Sequence, residues 1–145
     1  MINSIMLVDD ENLFHLVFED ACSLLDISLS FEALDSSDEA DKLFKKWFTD
    51  DLNHERPECL FVDLNILGSS FDGIELIRKI NFEYGNGVVI GIISSSSDVQ
   101  EIDKAKAVGA QFWIIKSDEI EPRLEEFKKD YEGYKNKTAA FKIYK

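Results

Sequence analysis

The chain has 145 residues, of which 45% are hydrophobic and 31% are charged, an ordinary composition for one globular domain with its own core. Its formal net charge of −13 disfavours generic nucleic-acid binding, which needs a basic surface. No apolar stretch approaches the about 20 residues of a transmembrane helix. The N-terminus lacks the pattern of a signal peptide, so we expect a cytoplasmic protein.

Hydrophobic spacing along the chain predicts strands that alternate with helices. The predicted strands cover residues 2–8, 27–34, 59–62, 88–93 and 112–115. The predicted helices cover residues 11–26, 72–84, 98–108 and about 120–132, and one more begins near Ser36 or Ser37 and ends in the polar stretch 50–57. This alternation predicts an α/β fold, a doubly wound five-stranded parallel sheet with right-handed crossovers and helices on both faces.

The cysteines and histidines show no pattern that predicts chemistry. Cys22 and Cys59 each lie among apolar residues and lack metal-ligand spacing, so we expect buried thiols rather than a disulfide framework. His15 lies in a predicted helix and His54 in a polar loop, too far apart to predict a metal site.

A polar or charged residue follows each of four apolar runs. Asp9 and Asp10 follow the first predicted strand, and Asp63 follows the third. Ser94 follows the fourth strand, and Lys116 follows the fifth. Because ligands of parallel α/β sheets bind beyond the carboxyl ends of the strands, we expect these side chains to share one site.

An acid pair, an acid, a hydroxyl and a lysine are the groups of a metal-dependent phosphoryl-acceptor site. Carboxylates that lie close together repel one another unless a cation joins them, and Mg²⁺ suits carboxylates, waters and a phosphate oxygen. Asp63 would be the nucleophile. Lys116 and the Ser94 hydroxyl would neutralise charge on the transferred group, and a backbone carbonyl near Asn65 would add a metal ligand.

This pattern resembles the receiver domain of two-component response regulators, from about residue 3 to residue 132. The resemblance implies the flavodoxin-like (βα)5 receiver fold. It also implies that Asp63 is phosphorylated by a sensor histidine kinase or a histidine phosphotransfer protein. The chain would catalyse its own phosphorylation and dephosphorylation without turning over a separate substrate.

The resemblance also implies roles for the other site residues. Asp9, Asp10 and Asp63 would hold Mg²⁺ with the Asn65 backbone carbonyl. Lys116 would contact the phosphoryl group. Ser94 would be the switch hydroxyl, and Trp113 lies where the family has its switch aromatic.

The chain departs from the family pattern at three places. The loop 66–72 lacks the usual apolar-proline pair and is about two residues longer than expected. Ser117 stands where the family usually has proline after the lysine. The second helix and the loop after it, about residues 37 to 57, look extended. None of these departures removes a catalytic group.

The predicted organisation is a receiver domain over residues 1–132 and a basic tail over residues 133–145. The tail contains Lys135, Lys137, Lys142 and Lys145 but no acid, and it is either a frayed end or a segment that docks on the acidic body of this or another chain. No output domain is recognisable, so we expect a single-domain regulator, a monomer or weak homodimer. It would act by binding an unknown downstream protein rather than nucleic acid or a membrane.

Three other readings compete with a regulator of this kind. A phosphohydrolase of the haloacid-dehalogenase type would need an acid two residues after Asp63, where this chain has Asn65. A phosphorylation-independent interaction module would not need the intact set of site residues. A phosphorelay shuttle, which passes its phosphoryl group to a histidine phosphotransfer protein, would use the same site residues, and the sequence does not decide this question.

Overall fold

The computed structural model describes residues 2–85 and 87–145, and within them it contains a six-stranded parallel sheet. The strands are β1 Ile2–Val8, β2 Ser28–Leu34, β3 Cys59–Asp63, β4 Val89–Ser94, β5 Phe112–Ile115 and β6 Lys142–Tyr144. The helices are α1 Asn12–Leu24, α2 Ser37–Thr49, α3 Gly73–Glu83, α4 Val99–Ala107 and α5 Glu121–Lys135, and a short 3₁₀ helix covers Asn53–Glu55. The strand order β2-β1-β3-β4-β5-β6 reverses between β1 and β3.

The predicted doubly wound α/β fold is confirmed, and every predicted strand and helix is present. Local signals explain where the helices begin. Ser36 caps α2 by accepting the Glu39 N–H at 3.1 Å, and Asp72 caps α3 by accepting the Glu75 N–H at 2.9 Å. Asp98 caps α4 in the same way.

The core lies on both faces of the sheet, because the central strands are buried along their whole length. On one face, α1 and α5 cover a cluster centred on Phe61, whose ring packs against Phe18, Phe112 and Phe127. On the other face, α2, α3 and α4 cover a second cluster that contains Trp113. The helices therefore lie on both faces, as predicted.

The C-terminal segment adds a strand that the sequence did not predict. Helix α5 continues to Lys135, past the predicted boundary at residue 132, and residues 142–144 then pair with β5. Lys142 lies 2.6 Å from Glu126 and 3.1 Å from Asp130, both in α5. The sheet is therefore six-stranded rather than five-stranded, and the segment docks on this chain's own acidic surface rather than fraying.

Two further expectations concern thiols and membranes. Cys22 and Cys59 are buried free thiols, as predicted, and burial is the main cause that raises the pKa of Cys22 to about 12. In the part of the chain that the structure describes, no helix combines the length and the apolar character needed to cross a membrane.

Candidate functional site

Acidic side chains from neighbouring strands meet at the carboxyl edge of the sheet, where the strand order reverses. Val8 in β1 lies opposite Val62 in β3, so the residues that follow them, Asp9 and Asp63, come side by side. One carboxylate oxygen from each of Asp9, Asp10 and Asp63 lies within 4.8 Å of the other two. The structure thus brings together the acids that the sequence predicted to meet.

Lys116 lies against this acid cluster, directly after the last residue of β5. Its Nζ is 2.8 Å from Oδ2 of Asp9 and 3.7 Å from Oδ2 of Asp63. It also donates to Oε1 of Glu11 at 2.9 Å and lies 4.6 Å from the centre of the Phe14 ring. Acids and an aromatic face therefore hold an ammonium group whose side chain is only 11% exposed.

The site shifts the ionisation of its own residues. Burial is the main cause that raises the pKa of Asp63 to about 7, and the charges of Asp9 and Asp10 add to this shift. The charge of Lys116 and a hydrogen bond from the Asn65 N–H oppose it. Burial alone would lower the pKa of Lys116, but its acidic partners raise it above the ordinary value, so the lysine stays charged.

The acid cluster fits a hard divalent cation. Oδ2 of Asp9 is buried, and the Lys116 ammonium group lies 2.8 Å from it. Three carboxylates converge here beside a single ammonium group, and a cation that prefers oxygen ligands would reduce the repulsion among Asp9, Asp10 and Asp63. The metal-ligand role of the Asn65 carbonyl stays a prediction.

Ser94 and Trp113 are connected through the loop that follows β4. Ser94 is buried, and its Oγ accepts the Ser96 N–H at 3.1 Å. The Ser96 carbonyl accepts the indole N–H of Trp113 at 2.9 Å. Trp113 is fully buried and belongs to the core in this structure, so its switch role stays a prediction.

The loop after Asp63, which departs from the family pattern, is anchored on the start of α2. Ser37 donates its Oγ to the Phe71 carbonyl at 2.7 Å and its N–H to Oγ of Ser69 at 3.0 Å. At the end of the loop, Gly73 packs so closely on Asp63 that an added Cβ would lie 2.1 Å from the Asp63 carbonyl oxygen. The loop is thus held against α2, and α3 begins directly against the Asp63 backbone.

Sequence reasoning did not assign Glu11 and Phe14 to the site. Glu11 continues the acidic run Asp9-Asp10, and Phe14 lies in the first turn of α1. The signal that could have found Glu11 was the position of Lys116 at the same edge of the sheet as the acidic run, because a lysine side chain is long. No comparable signal pointed to Phe14, because an apolar residue early in a helix is normally read as core.

Comparison with known proteins finds similarity in structure only. No protein-family model matches the sequence, and no curated protein matches it. A two-component response regulator from Cytophaga hutchinsonii superposes with a TM-score of 0.76 at 19% identity, covering 93% of this chain and 98% of the other. A response regulator in red light signalling of R. palustris gives 0.73 at 18% identity and covers 96% and 97%. The phosphorylated cyanobacterial phytochrome response regulator gives 0.68 at 19% identity and covers 97% and 98%.

The fold is therefore that of response-regulator receiver domains, and the resemblance inferred from the sequence is confirmed for the fold. Similarity at this level of identity shows the fold alone. The roles of individual residues rest on the geometry of the site in this chain.

Proposed function

We propose that this chain is a receiver that accepts a phosphoryl group on Asp63 from a histidine kinase or a histidine phosphotransfer protein, in a magnesium-dependent reaction. The supporting observation is the meeting of Asp9, Asp10 and Asp63 beside the Lys116 ammonium group, at the carboxyl edge of a receiver fold. The phosphorylated form would then signal by changed binding to a downstream protein. The cytoplasm is the location that fits this role, because histidine kinases use the ATP that is present there.

The transfer is a displacement at phosphorus. A carboxylate oxygen of Asp63 forms a bond to phosphorus while the bond from the donor's imidazole nitrogen breaks, and the electron pair stays on that nitrogen. In the return step, water attacks phosphorus, gives up a proton to solvent, and the Asp63 carboxylate leaves. Both steps occur on the chain itself, so no separate substrate is turned over.

The neighbouring residues stabilise the charge that moves. Lys116 holds a fixed ammonium group 3.7 Å from the attacking carboxylate, where it can pair with a phosphoryl oxygen. The Ser94 hydroxyl can donate to a second oxygen. Asp9 and Asp10 would hold the magnesium ion. When bound, that ion would supply positive charge for the remaining phosphoryl oxygen and for the crowded carboxylates.

Exposed apolar side chains around the site support a protein as the phosphoryl donor. Leu13 lies in the first turn of α1, Leu67 in the loop after β3, and Val99 at the start of α4, and all are largely exposed. Each lies shortly beyond a strand end that contributes a site residue. Apolar side chains that surround a charged site fit a docking protein better than a small, fully hydrated donor.

The test is phosphorylation by acetyl phosphate, read as intact mass with and without Mg²⁺. We expect a phosphate-sized adduct on the wild type in Mg²⁺ and none on Asp63→Asn. Asp103→Asn is the matched control, because it removes an exposed acid of α4 that lies outside the site, and it should be modified like the wild type. Addition of EDTA should abolish the adduct.

The alternative results separate the competing readings. An adduct of equal yield on Asp63→Asn would show that another group is the acceptor. No adduct on a wild type that still binds Mg²⁺ would favour a receiver that requires its own kinase. Neither adduct nor Mg²⁺ binding would favour the phosphorylation-independent module.

A further inference from the structure

The C-terminal strand covers the edge of the sheet beside Trp113. Strand β6 pairs in parallel with β5, and Ile143 lies opposite Trp113 in this register. Phe141 and Ile143 pack against the core cluster that contains Trp113, while Tyr144 is buried in the cluster on the other face. The segment therefore closes an edge of β5 that would otherwise expose backbone groups and apolar surface.

Polar contacts with α5 hold this segment in place. Lys142 pairs with Glu126 at 2.6 Å and with Asp130 at 3.1 Å. The Tyr144 hydroxyl donates to Asp130 at 2.7 Å and lies 2.7 Å from the Tyr134 hydroxyl. The strand itself has only 3 residues, so few backbone pairs oppose its release. A chain end can open locally without unfolding of the whole domain.

Two hydrogen bonds lead from the candidate site to Trp113, which lies opposite Ile143 of this segment. The Ser94 Oγ accepts from the Ser96 N–H, and the Ser96 carbonyl accepts from the Trp113 indole at 2.9 Å. If the Ser94 hydroxyl turns toward a phosphoryl group, the Ser96 N–H loses its acceptor. The loop after β4 is then free to move. The buried indole N–H would then lose its acceptor, which disfavours the present position of the Trp113 ring. Any shift of that ring disturbs its packing with Ile143.

We propose that docking of the C-terminal segment 136–145 is the output of this molecule: the segment is docked in the unmodified state and released when Asp63 is phosphorylated. Release would uncover the edge of β5 and the apolar surface around Trp113 for a partner segment in extended conformation. This inference rests on the proposed function, since the phosphoryl group is what draws Ser94 away.

Hydrogen exchange measured by mass spectrometry tests the inference on the full chain. The peptide covering 136–145 is compared between the unmodified and phosphorylated wild type, with a peptide of β1 as the internal reference. Couplings between sites are typically about 5- to 150-fold in an equilibrium constant, so we expect exchange in this peptide to rise at least about fivefold on phosphorylation. A phosphorylated sample with unchanged exchange in this peptide would overturn the inference.

A second arm needs no phosphoryl group. Ser94→Ala removes the Oγ that accepts the Ser96 N–H and leaves the Trp113 ring and its packing in place, whereas Ser95→Ala removes an exposed hydroxyl of the same loop outside the hydrogen-bond chain. In unmodified protein, Ser94→Ala should raise exchange in the 136–145 peptide at least about fivefold above Ser95→Ala, with the reference peptide unchanged. Equal exchange in the two variants would overturn the inference.

The two arms also separate failure of the inference from failure of the proposed function. Intact mass is read on every sample before exchange. A wild type that binds Mg²⁺ but forms no adduct with acetyl phosphate keeps the proposed function, whereas one that does neither contradicts it. In both cases the comparison of Ser94→Ala with Ser95→Ala decides whether the segment is coupled to Ser96.

Discussion

Burial of Asp63 disfavours the charged form of its carboxyl group. An aspartate in an unfolded chain titrates near about 3.9, whereas burial and the nearby acids raise the pKa of folded Asp63 to about 7. The folded state therefore holds this proton more tightly than the unfolded state does. It follows that the metal-free protein loses stability as the pH rises from about 4 to about 7.

We expect Asp63→Asn to stabilise the metal-free protein above neutral pH, because asparagine keeps the shape and removes the ionisable group. The gain should be on the order of 2 kcal/mol near pH ~8, after allowance for the solvent that reaches this carboxyl group, and it should shrink toward pH ~5. Thermal unfolding in EDTA at both pH values measures it, with Asp103→Asn as the control. Equal melting temperatures for wild type and Asp63→Asn at the higher pH would contradict this reading of the site.

Among the elements, the strand ends were the most predictable feature of the chain. A buried parallel strand must be apolar on both faces, so the strands Cys59–Asp63 and Phe112–Ile115 are visible as continuous apolar segments. Asp63 ends the first, and Lys116 directly follows the second. The carboxyl ends of parallel strands lie at one edge of the sheet, and this made the acid cluster and Lys116 predictable without any knowledge of tertiary contacts.

The elements that were missed depend on contacts that are distant in sequence. Strand β6 has 3 residues, too few for an alternating pattern, and its Tyr144 is held by Asp130 and Tyr134 in the preceding helix. The shape of the loop after Asp63 depends on Ser37, which binds the Phe71 carbonyl 34 residues away. A local sequence pattern does not predict contacts between residues that are distant in the chain.

The junction of β3 and α3 leads to a prediction about two glycines. Gly73→Ala would place a Cβ 2.1 Å from the Asp63 carbonyl oxygen, so the helix must move away from the acceptor. We expect a loss of about 3 kcal/mol or more in the free energy of unfolding, together with slower phosphorylation. Gly68→Ala is the control: Gly68 has φ +77 with open space around it, so only about 1 kcal/mol should be lost. Urea unfolding measures both, and similar losses would refute the close approach.

For the molecule as a whole, the net charge of −13 and the acid cluster respond differently to added ions. Repulsion spread over the surface is reduced by any salt, because screening depends on ionic strength alone. The cluster of Asp9, Asp10 and Asp63 instead offers oxygen ligands at fixed positions, which only a bound cation can use. The stability of the protein should therefore rise with any salt, through screening, and rise further with a divalent cation, through binding at the cluster.

We expect MgCl2 to raise the melting temperature more than NaCl at equal ionic strength. At a Mg²⁺ concentration about tenfold above its dissociation constant, binding to the folded state alone adds about 1.4 kcal/mol. Asp9→Asn should lose this excess yet keep the response to NaCl, because it removes one ligand and changes the total charge by a single unit. Asp103→Asn makes the same change of charge outside the cluster and should keep both responses. If the two salts act equally on the wild type, the cluster holds no divalent cation, and the magnesium-dependent part of the proposed reaction fails with it.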